Sequence, residues 1–298
     1  MERIEPSWDL YRTFLAVLRE GSLSGAARSL GLTQPTIGRH IEALEQAVGF
    51  QLFTRSQRGL AATEAALELR PYAEALASTA GALLRAASGQ GGTVKGTVRV
   101  SASEVVSVEV LPPILAALRE RYPELVIELA VSNVVEDLLR RDADIAVRMV
   151  EPSQEALVVR RLGTIPLGMH AHRRYLDRRG TPKRFEDLAT HSVIGFDRET
   201  PALRSMLERF PKFDVSRFAL RTNSDLAQLA AIRAGFGIGI CQVALARRDR
   251  DLVRVLPEAF AVKLGTWLAM HENLRSTPRC RIVFDALAAG LKGHVERT

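Results

Sequence analysis

Gln34, Thr36 and Arg39 set a carboxamide, a hydroxyl and a guanidinium within six positions of one another, with Pro35 between and Thr33 and His40 at either end. Side chains of these types read hydrogen-bonding patterns rather than break bonds. An arginine held rigidly can pair with a guanine edge through two N–H groups at once. Gln34, Pro35, Thr36 and Arg39 are therefore the candidates for contact with base edges, and Thr33 and His40 for phosphate or groove walls.

Such groups need a helix with its other side buried. Ile37, Ile41 and Leu44 recur at helical spacing, and Arg39 falls almost opposite their stripe. Thr33 can cap this helix, and Pro35 lies in the first turn, where no intrahelical N–H is lost. Upstream, SLSGAARSLG predicts a shorter helix with small residues at Ala26 and Ala27, capped by Ser22 or Ser24, and Gly31 supplies the turn. Trp8 to Arg19 predicts a first helix, with Leu10, Phe14, Val17 and Leu18 inward. A short helix, a glycine turn and a helix with a polar outer face form a helix-turn-helix whose second helix fits a major groove. A plain helical hairpin shares that pattern, so the flanking chain must decide.

After Gly49, the apolar pair Leu52 and Phe53 leads into a polar turn with Arg55, Arg58 and Gly59, a β-wing whose arginines suit backbone phosphate or the minor groove. Residues 63–88 predict a long alanine-rich helix. Leu69, Leu76 and Leu83 are seven apart, and Tyr72, Ala73, Ala80 and Ala87 fill the positions between. That seam suits the same helix of a second copy; packing within the chain is the alternative. Pro71 should kink this helix or mark its start. Four glycines within GQGGTVKG then predict a hinge over 89–96.

The formal charge of +7 invites a nucleic-acid partner, yet residues 1–96 hold ten basic and nine acidic residues, and the remaining six charges lie beyond them. Placement of Arg28, Arg39, Arg55 and Arg58 says more than the total. The chain shows no apolar run long enough to span a bilayer and no signal-peptide pattern, so a cytoplasmic protein without a membrane partner is expected. Cys241 and Cys280 have no metal-ligand spacing and read as buried, inert thiols.

The run FLAVLREGSLSGAARSLGLTQPTIGRHIEALEQAVGFQLFTR, followed by RGLAAT, the long helix and the glycine hinge, resembles the LysR-type transcriptional regulators. The likeness continues through TVRVSAS, LPPILAALRERYPEL, DADIAVR and TNSDLAQLAAIRAGFGIGI. It implies an α/β fold class: a winged helix-turn-helix over 1–62, a dimerising linker helix, and over 97–298 a two-lobed sensor of periplasmic-binding-protein type. It also implies dimers pairing into tetramers, double-stranded DNA and a small effector as partners, and RNA polymerase as a further one. Two departures stand out: Gly38 occupies a position that is commonly serine, and Cys241-Gln242 replaces the leucine–proline or methionine–proline usual after the GxGI strand.

Within the sensor, strands are expected at 97–101, 126–131, 144–148, 165–171, 192–196, 218–222, 237–241 and 263–271, with helices at 112–122, 134–141 and 278–291. This alternation makes two parallel α/β lobes, 97–162 with 268–298 and 163–267, joined by crossovers near Gly163 and Trp267. Ligands of such sheets sit at the strands' carboxyl ends. Ser101-Ala102-Ser103, Ser132-Asn133 and Asn223-Ser224-Asp225 should converge there and offer hydroxyls, amides and helix-start N–H groups to a small anion. The family position adds Arg148 and Phe196; simple helix capping is the alternative use of these serines and asparagines. Residues 160–184 carry eight basic side chains against Asp177 alone, a solvated face or a surface drawn to DNA or an acidic subunit.

No catalytic set is visible. There is no HExxH, no GxSxG elbow and no phosphate loop; His170 and His172 read as a solvated pair rather than metal ligands, and Cys241 has no evident histidine partner. GFGIGI runs from helix into strand, the reverse of a dinucleotide site. No enzyme, cofactor or metal is expected. The expected function is a DNA-binding regulator that reads an inverted repeat and answers to a cleft-bound effector; the rival is a solute-binding protein that its N-terminal helices merely dimerise.

Overall fold

The computed structural model describes the chain apart from residues 1–4, 57–58, 88–93, 134–142, 153–156, 199–203, 205–209, 211–214 and 296–298. The expected helix at 134–141, most of the hinge, Ser88 and Arg58 thus lie outside the described residues. The chain forms two compact units, residues 1–84 and residues 85–139 with 143–298.

In the N-terminal unit, α1 (Trp8–Glu20), α2 (Leu23–Leu30) and α3 (Gln34–Val48) pack around Phe14, Val17, Ala26, Ile37, Leu44 and Leu52, all essentially without exposed surface. Ser22, not Ser24, caps α2 by accepting the Gly25 N–H at 3.1 Å. Gly31 ends α2 at φ 67°, a left-handed conformation that a side chain would oppose. The wing is a two-stranded antiparallel hairpin, β1 (Phe53–Ser56) and β2 (Gly59–Ala62). Gly59 permits it twice over: its φ is 117°, and a Cβ there would stand 2.8 Å from the Gly21 carbonyl oxygen.

The long helix, α4, runs from Glu64 to Ala87 with Pro71 inside it, so Pro71 is not its start. The Thr63 hydroxyl accepts the Ala66 N–H at 3.2 Å and itself reaches the Gln51 and Leu52 carbonyls, which fixes how the helix leaves the wing.

In the second unit, one mixed sheet takes the order β4-β3-β5-β11-β6-β9-β7-β8, with β10 also on β6. Its strands are β3 (Gly96–Ala102), β4 (Leu125–Val131), β5 (Ile145–Arg148), β6 (Leu157–His172), β7 (Val193–Gly195), β8 (Phe218–Arg221), β9 (Ile238–Gln242), β10 (Leu252–Val255) and β11 (Val262–His271). β4, β3 and β5 run parallel, as do β8, β7 and β9. Between these triplets lie the two long strands, β6 and β11; β11 pairs antiparallel along its whole length with residues 157–167 of β6, with an irregularity at Thr266/Trp267 opposite Gly163. Each therefore passes from one lobe into the other.

A π-helical turn, Val106–Val110, leads into α5 (Leu111–Arg121). α6 (Arg173–Arg179), α7 (Asp225–Arg233), α8 (Val243–Ala246) and α9 (Pro278–Leu291) complete the described α-helices of this unit. Two apolar cores fill it. The larger joins Val98, Val100, Leu111, Ile145 and Leu287 to Ile194, Leu229, Ile232 and Leu245, so second-lobe residues share the first lobe's core. The smaller gathers Met169, Tyr175, Leu176, Ile238 and Phe260.

Candidate functional site

α3 is built to hold one side outward. Ile37, Ile41 and Leu44 are buried, whereas Gln34, Pro35 and Arg39 are exposed. Thr33 caps the helix through the Thr36 N–H at 3.4 Å, and the two threonine hydroxyls lie 2.8 Å apart. Thr36 is thus pre-positioned by its neighbour. His40 is half-buried, with Nδ1 2.9 Å from the hydroxyl of Thr13 on α1. One ring nitrogen docks α3 against α1, which leaves Nε2 for an outside partner. No sequence signal linked these two residues, 27 positions apart.

Glu45 was equally unforeseen. Its Oε1 accepts the backbone N–H groups of Leu52 at 2.7 Å and Phe53 at 3.2 Å, so the carboxylate ties α3 to the base of the wing. Arg55 lies in β1, with its backbone opposite Leu60.

Along α4, Tyr72, Leu76 and Leu83 are 66%, 46% and 63% exposed, a row of large apolar groups without cover in this single chain, and Ala80 is half-buried. Leu69 is different: with Ala66 and Ala73 it packs on the N-terminal core. The N-terminal part of this one stripe thus serves its own domain, and the same stripe further along the helix is left open.

In the second unit the three expected loops meet. The Asn133 carboxamide accepts the Glu104 N–H at 3.0 Å and donates to the Asp225 carboxylate, also at 3.0 Å. Ser224 caps α7 through the Ala227 N–H at 3.2 Å and donates its hydroxyl to Glu104 at 2.9 Å. Two carboxylates, Glu104 and Asp225, therefore stand at this junction; the sequence placed Asp225 there, in a loop read for its hydroxyl, amide and helix-start N–H groups, but not Glu104. Burial, with Glu104 nearby, pushes the Asp225 carboxyl up to about 6 against the help of Asn133.

Deeper in, Arg148 is buried, with Nη1 and Nη2 each 3.2 Å from the Ser101 hydroxyl. Ser101 and Ala102 are themselves buried, the Ala102 carbonyl accepting from Ser132 N–H and the Ser107 hydroxyl. Ser103 and Phe196 are half-buried and Asn223 is exposed. The lobes are further joined where Arg233 grips the Glu109 carboxylate at 2.6 and 3.0 Å, which holds that carboxyl below its usual range.

Two expectations fail in the second lobe. His170 is buried, not solvated, because its strand position faces α8 rather than water; its Nδ1 is 2.9 Å from the Gly168 carbonyl. The same nitrogen lies 3.3 Å from the Cys241 sulfur, so Cys241 does have a histidine partner, brought in by the β6–β9 pairing. Burial lowers the imidazole to about 4 and raises the thiol to about 12. Both groups are neutral at physiological pH, the opposite of an activated thiolate–imidazolium pair. His172 caps α6 instead. Among the described residues no group of three or more His, Cys, Asp or Glu is placed to hold a metal ion, and no helix is long and apolar enough to cross a membrane.

Residues 8–67 match the family described as bacterial regulatory helix-turn-helix protein, lysR family, and residues 91–292 match the LysR substrate binding domain. A probable HTH-type transcriptional regulator, LtrA of Klebsiella pneumoniae, is 28% identical over 286 residues, 92% of each chain. Full-length AphB, a virulence activator of Vibrio cholerae, superposes with a TM-score of 0.62 at 22% identity, over 95% of this chain and 99% of that one. CbnR, solved in complex with its target DNA, gives 0.66 at 20% identity, over 95% and 99%. The matched helix-turn-helix disfavours a solute-binding protein whose N-terminal helices serve only to dimerise. With both parts of the family matched in order, and the exposed face of α3 and the sensor fold both in place, this chain belongs to the LysR family of DNA-binding transcriptional regulators.

Proposed function

We propose that the protein reads the two halves of an inverted repeat with paired copies of α3. Gln34, Pro35, Thr36 and Arg39 meet base edges; Thr33, His40 through its outer nitrogen, Arg55 and Arg58 meet phosphate or groove walls. The observation that carries this is the division of α3, with Ile37, Ile41 and Leu44 buried and Gln34 and Arg39 exposed. The open row of Tyr72, Leu76 and Leu83, with Ala80, joins two copies, which pair again as a tetramer; Leu69 supports the seam from the core side. RNA polymerase is the downstream partner, the protein works in the cytoplasm, and no turnover is part of its role.

The effector is a small anion bound where the three sensor loops meet. Helix-start N–H groups at α7 and the guanidinium of Arg148 favour one negative charge. Glu104 and Asp225 oppose a second, so a monocarboxylate suits the junction better than a dicarboxylate. Binding acts on DNA only as far as the effector prefers one arrangement of the lobes over another.

A gel-shift series with the intergenic DNA beside its own gene tests the DNA part. Specific retention that weakens steeply with salt is expected; equal binding to unrelated DNA at every salt concentration overturns sequence reading. A thermal-shift screen of small mono- and dicarboxylates on the full chain tests the effector class, and stabilisation by dicarboxylates alone overturns it.

A further inference from the structure

Residues 163–267, the second lobe, hold 18 Lys and Arg against 11 Asp and Glu, an excess of seven that equals the formal charge of the whole chain. The N-terminal 96 residues, which carry the helix-turn-helix, are nearly balanced at ten against nine. The positive field therefore belongs to the sensor's second lobe, and its densest part is α6 with the turn that follows. Tyr175 and Leu176 anchor α6 in the core. Arg173, Arg174, Arg178, Arg179, Lys183 and Arg184 are all exposed, and Asp177 is the acidic residue among them.

Some of these cations have structural work. Arg174 donates to the Ala234 carbonyl at 2.8 Å and Arg178 to Gly235 at 3.5 Å, closing the end of α7; Arg184 pairs with Asp187 at 3.2 Å. Among the described residues, the side chains of Arg173, Arg179 and Lys183 make no such bond. Arg173 and Arg179 are six residues apart on α6, about 9 Å along the helix. Phosphates on one strand recur about every 3.4 Å along the duplex axis, so the two guanidiniums, which leave α6 about a third of a turn apart, are spaced to meet different phosphates.

A protein partner fits this surface poorly. Interfaces between proteins are seeded by buried apolar or aromatic anchors. Between residues 173 and 184 no large apolar side chain is exposed; Phe236, 42% exposed and next to Gly235, is a single ring at the margin. A phosphate backbone needs charge without such anchors.

We infer that α6 and its following turn form a second, sequence-independent DNA contact, in which Arg173, Arg179 and Lys183 grip backbone phosphates beyond the sites read by α3. The inference rests on the DNA-reading role of α3, and the test separates the two. The full chain is titrated, across a salt series, with two footprinted duplexes: one ending at the half-sites and one extending several helical turns beyond them. Wild type should show the steeper salt slope on the long duplex. R173Q/R179Q/K183Q should lose that extra slope, by about 0.9 for each phosphate contact removed, while binding the short duplex as wild type does. R173K/R179K should keep it, since a point charge suffices for phosphate. Equal slopes for wild type and the glutamine variant on the long duplex, with both variants melting as wild type does, overturn the proposal. Failure of the α3 reading looks different: wild type then binds neither duplex specifically.

Discussion

The Asn133 side chain donates to the Asp225 carboxylate at 3.0 Å, joining the loop behind β4 to the first turn of α7. The bond links the two lobes where Glu104 adds a second carboxylate, itself held by Ser224. Asp225 thus pays for its position in the form of a raised carboxyl, at about 6 against an ordinary 3.8.

That shift fixes a sign. The folded chain holds a proton that the unfolded chain has released, so Asp225 contributes its full penalty only above about pH 6 and none below about pH 4. Asp225→Asn keeps an acceptor for Asn133 and removes the ionisation. The variant should match wild type in stability near pH 4 and exceed it above pH 6 by on the order of 1–2 kcal/mol, allowing for partial exposure. Denaturant melts at both pH values check it; a constant difference across the range would contradict the assignment.

Cys241 should resist alkylation in the native state. A thiol raised to about 12 has roughly a thousandfold less thiolate at pH 8 than one at the ordinary 9.0. Burial beside His170 adds a steric barrier. Iodoacetamide labelling followed by mass spectrometry should modify Cys241 only under denaturing conditions. Rapid native labelling would refute the buried, neutral pair.

The two ends of the α4 stripe should answer differently to substitution. Leu76→Glu or Leu83→Glu places charge on the open row and should convert dimers to monomers in analytical ultracentrifugation, with little change in the melting of the N-terminal domain. Leu69→Ala removes packing from that domain's own core and should cost about 1–2 kcal/mol of its stability while leaving the association state alone. Dissociation by Leu69→Ala without loss of stability would place Leu69 in the seam between copies rather than in the domain's own core.

What the sequence disclosed followed from local rules. The periodicity of Ile37, Ile41 and Leu44, the cap at Thr33 and the glycine turn at Gly31 each depend on neighbours within four residues, and all appear in the structure. So does α9, whose bounds match the expected 278–291. Contacts between distant residues were hidden. His40 with Thr13, Glu45 with the wing, and Cys241 with His170 arise from packing or strand register, which no spacing along the chain encodes. Glu104 escaped notice for a related reason: an acidic residue after a strand reads as solvated until Ser224, 120 positions away, is placed against it.

Arg39 is exposed on α3, away from the buried stripe. If it pairs bidentately with a base, Arg39→Ala should weaken specific binding by about 1–3 kcal/mol, roughly five- to 150-fold, and relax preference at one position of each half-site. A lysine at position 39 should restore affinity only in part, since it lacks the planar fork. Titration against the footprinted site and a set of single-base variants measures both effects. A uniform loss across all sequences would instead make Arg39 a phosphate contact.

Gly38 separates helix stability from DNA reading. It lies in the middle of the first half of α3, where glycine costs roughly 0.5–1 kcal/mol relative to alanine. A Cβ built there meets nothing within 4 Å, and its backbone is not in the left-handed region, so alanine enters without strain. Gly38→Ala should therefore raise the stability of the N-terminal domain by that amount. Gly38→Ser should gain less, because serine is the poorer helix former, but it adds a hydroxyl next to Arg39. If the space beside Gly38 faces DNA, the serine variant should bind its site more tightly than the alanine variant despite the smaller gain in stability. Parallel melts and gel shifts of the two variants decide this, and identical affinities would show that position 38 does not touch the duplex.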